Sequence, residues 1–362
     1  MERLYWNNDW KFAETWEEAM KEAVYPENEM EDVRLPHTCK ELPYHYFDEH
    51  AYQMLCGYRR HFMAPEAWQG KSVELTFEGV AHDAVVYVNG TEVKAHHCGY
   101  TAFFVELAKY LKYGEDNVLA VRVDSRENLN IPPFGYAIDY MTFGGMYREV
   151  YVQVRNKTHL ADVFVKSQIH PLQVTTEITV QNISDGITLQ QEIRKKGEGA
   201  YSPLGKKPVK QANVQTVFPV QEICLWEPEN PHLYEIRTSL WKNGEMIDAR
   251  VDITGFREAG FRKDGFYLNG KKLRLRGLNR HQSYPYVGYA APASMQIFDA
   301  DILKKELGVN AVRTSHYPQS QDFIRRCDEI GLLVFTEFPG WQHIGLSLIH
   351  ISEPTRHLRI SY

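Results

Sequence analysis

Over most of the chain, hydrophobic and polar residues alternate in short runs, and only near residue 265 does the rhythm lengthen towards that of helices. Val85-Val86-Tyr87-Val88-Asn89-Gly90-Thr91-Glu92-Val93 reads as a hairpin around an Asn-Gly turn, because both central turn positions favour positive φ. Val118-Leu119-Ala120-Val121-Arg122-Val123 and Val150-Tyr151-Val152-Gln153-Val154 alternate with the same period of two. Many short strands at this spacing predict a jelly roll over residues 1–157. A second set of strands follows over 158–255, including Thr176-Glu177-Ile178-Thr179-Val180 and an Asn-Gly hairpin from Leu240 to Ile247. Between them, a Lys/Gly/Gln-rich stretch at 194–212 reads as an exposed loop. A span of roughly 100 residues patterned in this way suits an immunoglobulin-like β-sandwich.

The third region, 256–345, has a different order. Leu273-Arg274-Leu275-Arg276-Gly277-Leu278 predicts a strand, and Met295, Phe298, Ile302 and Leu303 then form a helical stripe closed by Gly308. Asn310-Ala311-Val312-Arg313 is a second strand, a helix over 320–330 ends at Gly331, and Leu332-Leu333-Val334-Phe335-Thr336-Glu337 is a third. Strand, helix, strand, helix, strand implies a parallel sheet with helical crossovers.

Composition narrows the class. The chain has 362 residues, enough for two or three domains. Its net charge of −6, without a basic cluster, argues against nucleic acid or an anionic membrane as partner. Aromatic residues make up 13%, which suits β-rich cores and also suits sugar binding, where flat rings stack on pyranose faces. The five cysteines are scattered, with no Cys-x-x-Cys pair, as expected of reduced thiols. No run reaches the roughly 18 apolar residues of a membrane span, and the first residues lack the apolar core of a signal peptide. A soluble, cytoplasmic protein is expected.

In a β/α barrel, chemistry sits at the C-terminal ends of the strands. Here the first strand ends in Asn279-Arg280-His281-Gln282, the second in Arg313-Thr314-Ser315-His316-Tyr317, and the third in Glu337, followed by Trp341 and His343. One polar residue at a strand end is ordinary capping. Three successive ends carrying such residues point to a site.

These segments also carry a resemblance. Asn310 to Pro318, Gly265-Phe266-Tyr267-Leu268-Asn269-Gly270 running into Arg276 to His281, Leu225 to Tyr234, and Ile138-Asp139-Tyr140 through Gly144-Gly145-Met146-Tyr147-Arg148 resemble, in order, motifs of glycoside hydrolase family 2. The resemblance implies a jelly-roll sugar-binding domain, an immunoglobulin-like sandwich and the first three strands of a (β/α)8 TIM barrel. It implies retaining hydrolysis by two carboxyl groups about 5–5.5 Å apart. Asn279-Arg280-His281 is closer to the β-galactoside-cleaving members than to glucuronidases, which implies a terminal β-galactoside as substrate and a homo-oligomer when full length. β-Glucuronidase, β-mannosidase and a non-catalytic sugar-binding module remain as alternatives.

By the same resemblance Asp139 hydrogen-bonds substrate hydroxyls, and an ionised carboxylate accepting two hydroxyl protons matches a vicinal diol. His281 and His316 match positions that bind hydroxyls of the galactosyl ring. Arg313 holds an active-site carboxylate in place, and Trp341 offers a stacking face. Some members bind Mg²⁺ through Glu-x-His after the third strand. This chain has Trp341-Gln342-His343 there, so the carboxylate is replaced and no metal is expected at that place. In the family the acid/base follows an Asn on the fourth barrel strand and the nucleophile lies later, so neither is expected here, and Glu337 is given no catalytic role. Leu346 to Arg356 resembles an in-frame translation of a transposase sequencing adapter. Residues 346–362 are therefore expected to be an artefactual tail, and the chain an inactive fragment whose 256–345 region is prone to aggregate.

Overall fold

The structure, a computed structural model, describes residues 3–42, 48–135 and 138–340. Two antiparallel sheets face each other in the first domain. One has six strands in the order Glu31–Val33, Trp10–Ala13, Leu55–Met63, Asp116–Asp124, Asp83–Val88, Thr91–His96. The other has four, Leu4–Tyr5, Val150–Arg155, Ser72–Phe77, Phe103–Glu106. Alternation puts Trp10, Phe12, Tyr58, Leu75, Phe77, Val86 and Val121 between the sheets, all at most 4% exposed.

The second domain stacks His159–Ile169, Leu172–Gln181 and Asn213–Pro219 on a four-stranded sheet ordered Ser202–Pro208, Ile187–Lys195, Tyr234–Lys242, Glu245–Thr254. The stretch expected to be an exposed loop therefore contains a strand. Its Lys206, Lys207, Pro203 and Pro208 are those of an edge strand, where charge and proline block further pairing. Asn89 and Asn243 take positive φ of 50° and 51°, as the hairpin reading requires.

The third region departs from expectation at its start. Lys271–Leu273 is not part of the parallel sheet but the last strand of an antiparallel trio with Ala259–Arg262 and Gly265–Leu268. The cause is another Asn-Gly turn, with Asn269 at φ 52°, which folds 271–273 back on 265–268. The first parallel strand is Gly277–Asn279, paired in register with Ala311–Arg313 and then Leu333–Phe335. The first helix, Ala293–Asp301, runs into a wider π turn over Ile302–Glu306 before Gly308. The second, Gln321–Ile330, is capped by the Ser320 hydroxyl, which accepts from the Asp322 amide.

Both sandwiches are fixed to the second barrel helix. Trp226 of the second domain is 1% exposed, and its Nε1–H donates to the Asp328 carbonyl at 2.8 Å. Gly331, at φ 75°, lies so close that an added Cβ would stand 2.1 Å from the Pro228 carbonyl oxygen. Gly331→Ala is expected to lower stability by about 2 kcal/mol or more, from overpacking plus a left-handed backbone, read as a lower urea midpoint.

At the other seam three carboxylates converge. The Glu78 amide donates to the Glu149 carbonyl at 3.0 Å, the step after Phe77↔Val150 in the ladder, and Asp322 adds its charge from the second helix. Burial first, then Glu78 and Asp322, raise Glu149 from 4.5 to about 7, against the pull of Arg3 and Arg325. The folded chain thus binds this proton more tightly than the unfolded one. Its contribution to stability is present below about 4.5 and is lost as pH rises to about 7. Denaturant midpoints across that range are expected to fall less steeply with pH in Glu149→Gln than in the parent chain.

Candidate functional site

The parallel register sets Asn279, Arg313 and Phe335 side by side at the strand ends, and the chain turns into the mouth just beyond them. Arg280 points the other way. It is 6% exposed, and its guanidinium donates to Asp299 Oδ2 at 2.8 Å and to Gln296 Oε1 at 2.8 Å. Anchoring Arg280 in the barrel wall leaves neighbouring His281 turned outwards and exposed.

From the second strand end come Arg313 and His316, and both meet Glu337. Arg313 Nε donates to Oε1, and His316 Nδ1–H donates to Oε2 at 2.9 Å. That second bond selects the tautomer protonated on Nδ1, in which Nε2 is an acceptor. Arg313 Nη2 lies 3.2 Å from the same Nδ1, an approach that cannot also be a hydrogen bond in this tautomer. Arg313 is thus paired with Glu337, both of whose carboxylate oxygens are engaged. A cavity of about 460 Å³ runs along the strands, with Asn279, Arg313 and Glu337 on its wall.

The jelly roll supplies the rest. Its last loop carries Asp139, exposed at the mouth, and Tyr140, half-buried behind it. The loop returns through Gly144 and Gly145, where added side chains would clash with Ser125 and Cys39 and with the His37 carbonyl. Arg148 follows, 7% exposed, donating to Gln282 Oε1 at 3.0 Å and to the Pro318 carbonyl at 2.9 Å. Each acceptor is one or two residues from a candidate histidine. Tyr100 stacks on Tyr317 with centroids 4.3 Å apart and planes 1° from parallel, and Tyr289 closes the cluster at 5.6 Å from Tyr317.

Four of the five candidates fall in one neighbourhood. His281 and His316 lie 5.5 Å apart, ring to ring, and Asp139 is near enough to act on the charge of His281. Trp341 lies outside the described residues, as do His343 and the 346–362 tail. Among the described residues no group of three or more His, Cys, Asp or Glu is arranged to hold a metal ion. Nor is any helix among them long and apolar enough to cross a membrane. Sequence reasoning passed over Tyr140 and Arg148, although both stand inside the motif that singled out Asp139. The signal was present as one aromatic and one cation flanking a Gly-Gly pair.

His281 is held below its ordinary value of 6.5, first by burial and then by the neighbouring charges of His316 and Arg313, while Asp139 opposes them. It is therefore neutral at neutral pH and can exchange hydrogen bonds with hydroxyl groups in either direction. NMR titration of this imidazole is expected to give a midpoint under 6.5, and Asp139→Asn, by removing the charge that raises it, a still lower one.

Two β-sandwiches leading into parallel β/α strands, with acid, imidazole and aromatic groups gathered at the strand ends, define a protein of the sandwich-and-barrel class. Family models agree in chain order: the sugar binding domain of glycosyl hydrolases family 2 over residues 29–155, the family's middle domain over 158–257, and its TIM barrel domain over 260–358. The chain belongs to glycosyl hydrolases family 2. It is 45% identical over 350 residues to a beta-galactosidase of Thermoanaerobacter pseudethanolicus, covering 94% of this chain and 47% of the relative. It is 43% identical to one from Thermoanaerobacterium thermosulfurigenes, covering 94% and 49%. Among solved structures, a Bacteroides uniformis beta-glucuronidase superposes with TM-score 0.83 at 28% identity, covering 93% of this chain and 42% of that one. The chain spans about half the length of the curated relatives it matches.

Proposed function

We propose that the whole protein hydrolyses terminal β-D-galactosides with retention, and that this chain contributes the grip on the non-reducing sugar. The observation that carries the reading is the meeting of His281 and His316 beside Asp139. The three groups arrive from two strand ends and a separate domain. Two imidazoles and a carboxylate can satisfy several sugar hydroxyls at once, and a hydroxyl left unpaired in such a site costs binding. The likeness to two galactoside-cleaving relatives at 43–45% identity supports galactose over other sugars. On this reading the enzyme works in the cytoplasm as a homo-oligomer. On the same reading the chain by itself binds but does not cleave, and Glu337, which accepts from Arg313 and His316, has no catalytic role.

A glucuronide substrate is the second reading, favoured by the superposition on the Bacteroides uniformis glucuronidase. Calorimetric titration of the chain with methyl β-D-galactopyranoside and with methyl β-D-glucuronide separates the two. Binding of the galactoside, lost about tenfold or more in His316→Ala, is expected. Preference for the glucuronide would overturn the galactoside assignment, and hydrolysis of p-nitrophenyl β-D-galactopyranoside by the chain alone would overturn the division of labour.

A further inference from the structure

We infer that Tyr140 is a positioning residue, a wedge from the jelly roll that fixes the orientation of both His281 and His316. Its ring lies 5.2 Å from His281 at an interplanar angle of 44°, and 5.7 Å from His316 at 41°. The histidines touch each other at 5.5 Å and 76°, so the three rings form a closed triangle. Each histidine comes from a different barrel strand, and no backbone ladder joins Tyr140 to either.

The rear of the wedge is fixed. Tyr140 packs against Tyr317 at 5.6 Å and lies beside Tyr100, which is 1% exposed in the jelly-roll core. Tyr100 in turn stacks flat on Tyr317, the residue after His316. The core of the first domain is thereby connected to the site in two rigid steps. His316 has a second constraint, its bond to Glu337, which sets the tautomer but leaves the ring able to pivot about that bond. His281 has a 3.2 Å contact between Nδ1 and Tyr317 Oη. To these contacts Tyr140 adds a ring face against each histidine, and a bond and a face together restrict the pivot that a bond alone allows.

The groups facing His281 are His316, Arg313, Asp139, Tyr140 and Tyr317, so its titration reports on the wedge directly. Only the sugar-binding arm of the test rests on the galactoside reading. Long-range ¹H–¹⁵N spectra of the full chain resolve the two imidazoles, assigned by their loss in His281→Gln and His316→Gln. In Tyr140→Ala both sets of signals are expected to shift, and the His281 midpoint to rise as water replaces the ring. Tyr140→Phe, which keeps the face and loses the hydroxyl, is expected to stay close to the parent. Methyl β-D-galactopyranoside binding is expected to weaken about tenfold in the alanine variant and to recover in the phenylalanine one. Imidazole signals unchanged in a folded Tyr140→Ala would overturn the inference. Should that variant fail to fold, Tyr140→Leu, which keeps bulk without a ring face, is read by the same criterion. If no variant and no parent binds the sugar, the galactoside reading falls while the imidazole spectra still decide the role of Tyr140.

Discussion

Everything at the mouth depends on the contact between the first sandwich and the start of the barrel, where Tyr100 stacks on Tyr317, Tyr289 packs against both, and Arg148 is buried among carbonyl and amide oxygens. Without it the strand ends would carry their histidines and arginine but no Asp139 and no Tyr140. Tyrosine suits such a seam because its ring buries apolar area while its hydroxyl finds a partner. A buried guanidinium must be hydrogen-bonded to be tolerated. Arg148 reaches the loops after the first and second strands together, so the seam specifies a register between domains as well as an adhesion.

Within that frame the local chemistry is a division of duties. Arg280 serves the wall and His281 the mouth, though they are consecutive. Glu337 orders the second strand end by accepting from Arg313 and His316 simultaneously, which turns three flexible side chains into one rigid unit. The groups left facing outwards are suited to hydroxyl recognition. On the proposed reading they meet a sugar with their orientation already fixed, which lowers the cost of binding.

Much of this was legible before any coordinates. The Asn-Gly hairpins, the strand alternation and the helix ending at Gly331 follow from local backbone preference, and local preference survives folding. The strand at 202–208 was hidden because an edge strand is written in the same lysines and prolines as a loop. The first parallel strand was placed too early because Leu273 continues the apolar pattern across a change of sheet, and pattern alone cannot say which partner a strand takes. The candidate residues could be named from their motifs, but their mutual contact could not, since Tyr140 and His316 are 176 positions apart in numbering and meet only through the domain seam. Trp341 stays where the motif left it, beyond the described residues.

The approach of Gly331 to Pro228 has a consequence for how such proteins can be recombined. The middle sandwich and the second barrel helix meet without room for a methyl group, and Lys304 Nζ seals the contact by donating to the carbonyls of both Pro228 and Gly331 at 2.9 Å. Chimeras that exchange the sandwich between family members must therefore carry this turn and its glycine as a matched pair. A crossover point between them would join two halves that were never shaped against each other.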